Sequence, residues 1–273
     1  MKSNLILKTP EPKIDQTFYY IESYWPKLVE SGASLTLPLP NKFVRPGGFF
    51  KSFYYWDSYF SLLGLVVQGK WELAQGILEN MIYLIEKIGF IPNYISPKNV
   101  CKTRSHPPLL TCAIFELYRY MDDQEWLERV IKAAQDEYGN YWMKKPHLTH
   151  TGLNRYIDLG GTGCTTVPDT PHHRGIAESG WDNTPRFGDD ITQIIPVDLN
   201  CMLYRYECDL ELLLELLGHN SEAKEWRNRA EQRKNLINKY LWDDEIGFYW
   251  DYDLRKNQQV QNLPRCVSSF TPL

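Results

Sequence analysis

The segment AESGWDNTPRF, residues 177–187, sets Glu178 and Asp182 four residues apart, with Gly180 and Trp181 between them and Arg186 behind. An aspartate after Ser-Gly-Trp can accept backbone N–H bonds and start a helix. It can also hand a proton to a departing oxygen. That second role needs a carboxyl that stays protonated near neutral pH, which an apolar, aromatic surround achieves by raising its pKa. Trp181 is suited to supply that surround, and the segment alone leaves both readings open.

Three more segments carry residues of the same kind. RPGGFFKSFYYWDSYF, residues 45–60, contains Trp56-Asp57; GFIPN, residues 89–93, ends on Asn93; and RSHPP, residues 104–108, joins Arg104 and His106 to a rigid Pro-Pro pair. Rings beside acids, amides and arginines are what a sugar pocket requires, because C–H faces stack on aromatic rings while hydroxyls need polar partners. Nine Trp and eighteen Tyr in 273 residues, many of them in polar segments, point the same way. The alternative is that these tryptophans are core residues. Arg155, in GLNRYID, is a further sugar contact or a surface ion pair.

Around these segments the pattern is helical. Residues 15–30 form a first helix with a kink or break expected at Pro26, and 57–67 and 71–88 form a pair joined at Gln68-Gly69-Lys70. In the second of these, Leu73, Ile77, Met81, Leu84 and Ile88 fall on one face, and Gly89 ends it. Residues 108–120 and 123–143 make a second pair across Met121-Asp122, and 199–217 and 221–241 a third, with Ser221 as the cap. The tail 247–259 alternates like a short hairpin. Long loops at 31–55, 89–107 and 144–196 hold the unusual residues, and loops of that length are usually functional. Antiparallel helical hairpins with their long loops at one end describe an all-α toroid; a simple bundle would not need so much loop.

Composition narrows the function. Net charge is only −4 with the two signs interleaved, so no basic stripe is available for a nucleic acid and no polybasic run for a membrane surface. The apolar run before Lys8, Leu5-Ile6-Leu7, is too short for a signal-peptide core, and no stretch approaches a membrane span. Six cysteines without a CxxC read as buried free thiols, and together these features place the chain in the cytoplasm. His172-His173 with Cys164 lack a second ligand pair at useful spacing, so no metal is expected. No phosphate loop or nucleophile elbow is present, and no cofactor is expected.

The ordered motifs resemble one family. RPGGFFKSFYYWDSYFSLLGL (45–65) is similar to the first signature of the trehalase family of glycoside hydrolases, and GFIPN followed by RSHPPLLT (104–111) resembles its next stretch. IAESGWDNTPRF (176–187), PVDLNCMLYRYE (196–207) and KYLWDDEIGFYWDYDL (239–254) continue the likeness in the same order. The resemblance implies an (α/α)6 barrel, here a single domain over 1–273 that is incomplete at its C-terminus, with a lead-in helix over about 1–40. It implies inverting hydrolysis of α,α-trehalose, a small disaccharide, to glucose. Asp182 matches the general acid, and Trp56, Asp57, Asn93 and Arg104 match sugar contacts; His106 and Trp181 shape the same pocket, and Gly180 allows backbone to approach the sugar. Glu178 is a sugar or structural contact. Inversion also requires a carboxylate about 6.5–9.5 Å from the acid to activate water, which the resemblance puts beyond Leu273.

Departures from the family pattern bear on substrate. Phe49 stands where the family has a substrate-reaching arginine, His106 where it has glutamine, and Thr166-Val167-Pro168-Asp169 where it has Arg-Pro-Glu. Another small α-glucoside, or sugar binding without turnover, is therefore an alternative. A half-barrel would leave apolar helix faces uncovered, so self-association is expected.

Overall fold

The computed structural model describes residues 11–121, 123–158, 160, 164, 168, 170–261 and 265–272. The short N-terminal apolar run, Asp122 of the second link, and Thr166, Val167 and Asp169 at the Arg-Pro-Glu position lie outside the described residues. Eight α-helices dominate: α1 (Pro12–Leu28), α2 (Tyr55–Val67), α3 (Trp71–Ile88), α4 (Leu110–Tyr118), α5 (Gln124–Glu137), α6 (Pro171–Ser179), α7 (Val197–Leu216) and α8 (Asn220–Leu241). The successive pairs α2–α3, α4–α5 and α7–α8 are the expected hairpins. Helices α2, α4 and α7 pack side by side as an inner row, and α3 and α5 pack together behind it.

Local chemistry explains most boundaries. Helix α3 keeps its apolar face, burying Ile77, Met81 and Leu84 with Ala74, Leu78, Ile82 and Ile85 beside them, and stops at Gly89 with φ 92°. Asp123 caps α5 through its side chain, accepting from Trp126 N, after which the chain widens into a π-helical turn, Tyr138–Trp142. Pro26 does not break α1, which runs two residues further to Leu28 because the proline falls in its last turn. Ser221 is not a cap: α8 starts one residue earlier, at Asn220, and His219 precedes it without a side-chain bond.

Helix α6 lies inside the segment expected to be irregular. Thr170 accepts from His173 N, Pro171 occupies the first turn, and Gly180, at φ 72°, follows the last residue. Threonine cap, leading proline and terminal glycine are a complete start-and-stop pattern.

Short strands tie the loops to the helices. β1 (Val29–Glu30) pairs antiparallel with β2 (Phe43–Val44), and β3 (Phe53–Tyr54) with β4 (Tyr94–Ile95), matching Tyr54 with Tyr94. β5 (Ile194–Ile195) pairs with β8 (Tyr252–Asp253), which also pairs with β9 (Gln258–Gln259), while β6 (Trp242–Asp243) and β7 (Phe248–Tyr249) close the tail hairpin. The tail therefore makes two hairpins rather than one.

The cysteines correct one expectation. Cys101 and Cys164 form a disulfide, with α-carbons 4.8 Å apart, and only Cys112, Cys201, Cys208 and Cys266 are free thiols. No CxxC spacing could signal this bond, because its partners are 63 residues apart in sequence. No described helix is long and apolar enough to cross a membrane.

Candidate active site

Strand β3 runs directly into α2, so Tyr54 and Trp56 are delivered at the inner end of a helix whose position β4 fixes. Tyr55, between them, points the other way: its hydroxyl accepts from Leu109 N and Leu110 N at the start of α4 and donates to Glu137 Oε2 at 3.3 Å. That single buried phenol locks α2 to the segment carrying Arg104 and His106. Rings then gather around His106, with Tyr54 6.4 Å and Trp56 5.5 Å away between centroids. Phe60 meets Trp56 edge-on, and Phe50 meets Tyr54 in the same manner.

Two carboxylates face this cluster. Asp57 is half-buried, and its pKa is raised by burial and then by the negative charge of Asp182. Tyr54 is raised by burial, with both Asp57 and Asp182 adding to the effect. The structure thus brings Trp56, Asp57, His106, Gly180 and Asp182 together. His106 is pushed down to about 3 by burial and by the Arg104 charge, so it is neutral at neutral pH, and its Nδ1 has no partner among the described residues.

Asp182 itself is exposed, in a left-handed backbone conformation with φ 46°. The expected ring shield is not there. The indole of Trp181 is turned aside, its N–H donating to Asp198 Oδ2 at 2.8 Å. Nor is Asp182 a helix cap: it follows α6 and precedes a loop.

Other expected sugar contacts are taken up inside the protein. Glu178 is fully buried; Oε1 accepts from Ser105 N, from the Tyr141 hydroxyl and from His147, and Oε2 from Ile157 N at 2.7 Å. It joins two loops and the π-helical turn. The Asn93 amide donates to Ser105 O and Ala177 O at 3.1 and 3.0 Å. Arg155 donates to Pro146 O and Thr192 O, at 2.9 and 2.6 Å, and is not a surface ion pair. Arg104 is buried against Asp158 at 2.9 Å, although its Nε has no partner among the described residues. Gly180 is required by Trp56, whose indole occupies the space a β-carbon would fill.

Asp158, Arg186, Asp198 and Asp251 were not singled out by sequence. Arg186, Asp198 and Asp251 lie within motifs already quoted, and charges of both signs in such motifs were the available signal. His172 Nδ1 accepts from Ile191 N, Cys164 is disulfide-bonded, and among the described residues no group of acids, histidines and cysteines is arranged to hold a metal. A cavity of about 690 Å³ lies instead near α1 and α3, lined by Trp25, Pro26, Val29, Lys42 and Leu73 among others; it shares no residue with the ring cluster.

The family model described as trehalase matches residues 7–173 and 168–273. The chain is 32% identical over 295 residues to the periplasmic trehalase of Escherichia coli (strain K12 / DH10B), covering 92% of this chain and 51% of that protein. It therefore spans about half the length of the curated relatives it matches. Neutral trehalase Nth1 from Saccharomyces cerevisiae superposes with a TM-score of 0.77 at 27% identity, over 85% of this chain and 51% of that one. The GH63 mannosylglycerate hydrolase from Thermus thermophilus, in complex with glucose, shares the fold at a TM-score of 0.65 and 18% identity, over 93% and 70% of the two chains. These neighbours bear out the α/α-barrel type of architecture. The expectation of a cytoplasmic location is overturned, since the curated relatives are periplasmic.

Proposed function

The chain belongs to the trehalase family of glycoside hydrolases, and from that premise we propose that its site hydrolyses the glycosidic bond of a small α-glucoside, α,α-trehalose first, with inversion. The observation that carries this reading is the meeting of Asp57 and Asp182 beside Trp56 and His106. Asp182 gives its proton to the glycosidic oxygen as the bond to the anomeric carbon breaks. A second carboxylate takes a proton from water as that water attacks the opposite face. A seated sugar covers Asp182 and supplies the desolvation that the exposed side chain lacks. The rings of Trp56 and Tyr54 stack on sugar, and neutral His106 hydrogen-bonds a hydroxyl.

Glu178 is unsuited to act as the base, because both its oxygens already accept bonds from buried donors. Phe49 supports a second reading: at 81% exposure it offers a ring where a charge would grip a second glucose, which suits a glucoside with a less polar aglycone. Periplasmic relatives and the Cys101–Cys164 bond support an oxidising, extracytoplasmic compartment. Exposed Leu212, Leu216 and Phe60 support self-association, which sedimentation would detect.

Glucose release from trehalose tests the reading, with Asp182→Asn as the comparison. Release that Asp182→Asn lowers at least 100-fold is expected; equal release by both would remove Asp182 from the mechanism. Trehalose binding without release by either would leave a sugar-binding relative.

A further inference from the structure

The turn after α6 holds a conformation it would not choose alone. A non-glycine residue in the left-handed region persists only where its surroundings over-determine it, and Asp182 sits there two residues after Gly180, itself at φ 72°. The surroundings that fix it converge on one side chain. Asp198, fully buried in the first turn of α7, accepts from the Trp181 indole through Oδ2 at 2.8 Å and from Arg186 Nη2 through Oδ1 at 2.7 Å. Trp181, just before Asp182, and Arg186, four residues after it, are therefore both held by the Asp198 carboxylate, one through each oxygen.

Arg186 is fixed in turn. Its Nε and Nη2 donate to Asp251 Oδ2 and Oδ1, both at 2.7 Å, a two-pronged pair on β8's approach. Asp251 Oδ1 also accepts from Val197 N, at the start of α7, and Tyr156 donates its hydroxyl to Asp198 Oδ2 at 3.1 Å. Burial alone would push the Arg186 guanidinium down, but Asp198 and then Asp251 outweigh that and hold it charged. The guanidinium also lies 5.5 Å from the centre of the Trp181 ring and 4.6 Å from that of Phe187.

We propose that Asp198 and Arg186 are positioning residues that close the 181–186 turn into a ring and thereby set the direction of the Asp182 carboxyl. This rests on the hydrolase reading above. Neither side chain touches substrate; both act through Asp182, so their loss falls on turnover. A displacement of about 1 Å at a reacting group costs on the order of 100-fold in rate.

The test compares Asp198→Asn, Arg186→Lys and Arg186→Met with Asp182→Asn and the unaltered chain, by trehalose turnover and by amide hydrogen exchange resolved along the sequence. Asp198→Asn and Arg186→Met should lower kcat by about 10- to 100-fold with KM within about threefold. Arg186→Lys, which keeps the charge but not the fork, should recover part of it. Exchange should quicken at least tenfold across 180–187 and stay unchanged in α8. Wild-type kcat in Asp198→Asn and Arg186→Met alongside an inactive Asp182→Asn overturns the positioning role. An Asp182→Asn chain that matches the unaltered one, or an unaltered chain with no turnover, overturns the hydrolase reading. Exchange then decides the clamp, confined loosening supporting it and unchanged exchange overturning it. If Asp198→Asn loosens α8 as well, Arg186→Lys decides by the same criteria.

Discussion

Gly180 lies flat against Trp56: a β-carbon on that glycine would stand 2.6 Å from Cζ2 and 2.7 Å from Cη2 of the indole. Such distances leave no room for any side chain, and the φ of 72° disfavours one independently. Gly180→Ala should therefore lose about 1–3 kcal/mol of stability, displace the ring, and weaken sugar binding together with it. Urea unfolding and a titration with trehalose check both; unchanged affinity in a destabilised chain would separate Trp56 from the sugar.

Two buried groups tilt stability in opposite directions with pH. Glu137 is pushed up to about 7 by burial, against the hydrogen bonds of Tyr206 and Tyr55. Its contribution is complete below the ordinary value of 4.5 and is lost as pH rises towards 7, about 3 kcal/mol in all. His106, pushed down to about 3, does the reverse, losing stability as pH falls below 6.5. Glu137→Gln should thus gain about 2–3 kcal/mol relative to the unaltered chain between about pH 5 and 8. Urea midpoints at the two pH values measure it, and parallel curves would refute the assignment.

The disulfide makes a countable prediction. Unfolded without reductant, the chain should titrate as four thiols rather than six. Cys101→Ser should lose about 2–4 kcal/mol, because the bond closes a loop 63 residues long that includes the Arg104 and Asp158 pair. Six thiols in the unreduced protein would dismiss the bond and, with it, one support for an oxidising compartment.

Phe49 tests substrate preference. Its ring is 81% exposed and touches Phe50 at 4.3 Å, so Phe49→Arg should change stability by less than about 0.5 kcal/mol. A cation there should tighten trehalose binding by about tenfold through hydrogen bonds to its hydroxyls. Unchanged affinity would mean that position 49 does not reach the sugar.

The helical hairpins were legible because burial imposes a period. The stripe from Leu73 to Ile88 and the stop at Gly89 mark both ends of α3, as the structure has them. Helix α6 was equally legible from Thr170, Pro171 and Gly180, yet its nine residues carry too little apolar periodicity to stand out from a polar loop. The roles of polar side chains were less readable. Glu178, Asn93 and Arg155 have the chemistry of sugar ligands, but chain neighbours 9 to 84 residues away satisfy the groups that a sugar would have met.

What the order of residues determined by itself was the three helical hairpins, the family, and the gathering of acids, rings and arginines into a few loops, since each follows from local spacing. Which carboxylates face the rings and which are sealed among buried donors was decided only by folding. Partner, burial and backbone direction are set by segments distant in the chain: Asp198 turns Trp181 away, and Trp56 demands Gly180. A side chain's type fixes what bonds it can make, and packing alone fixes with whom.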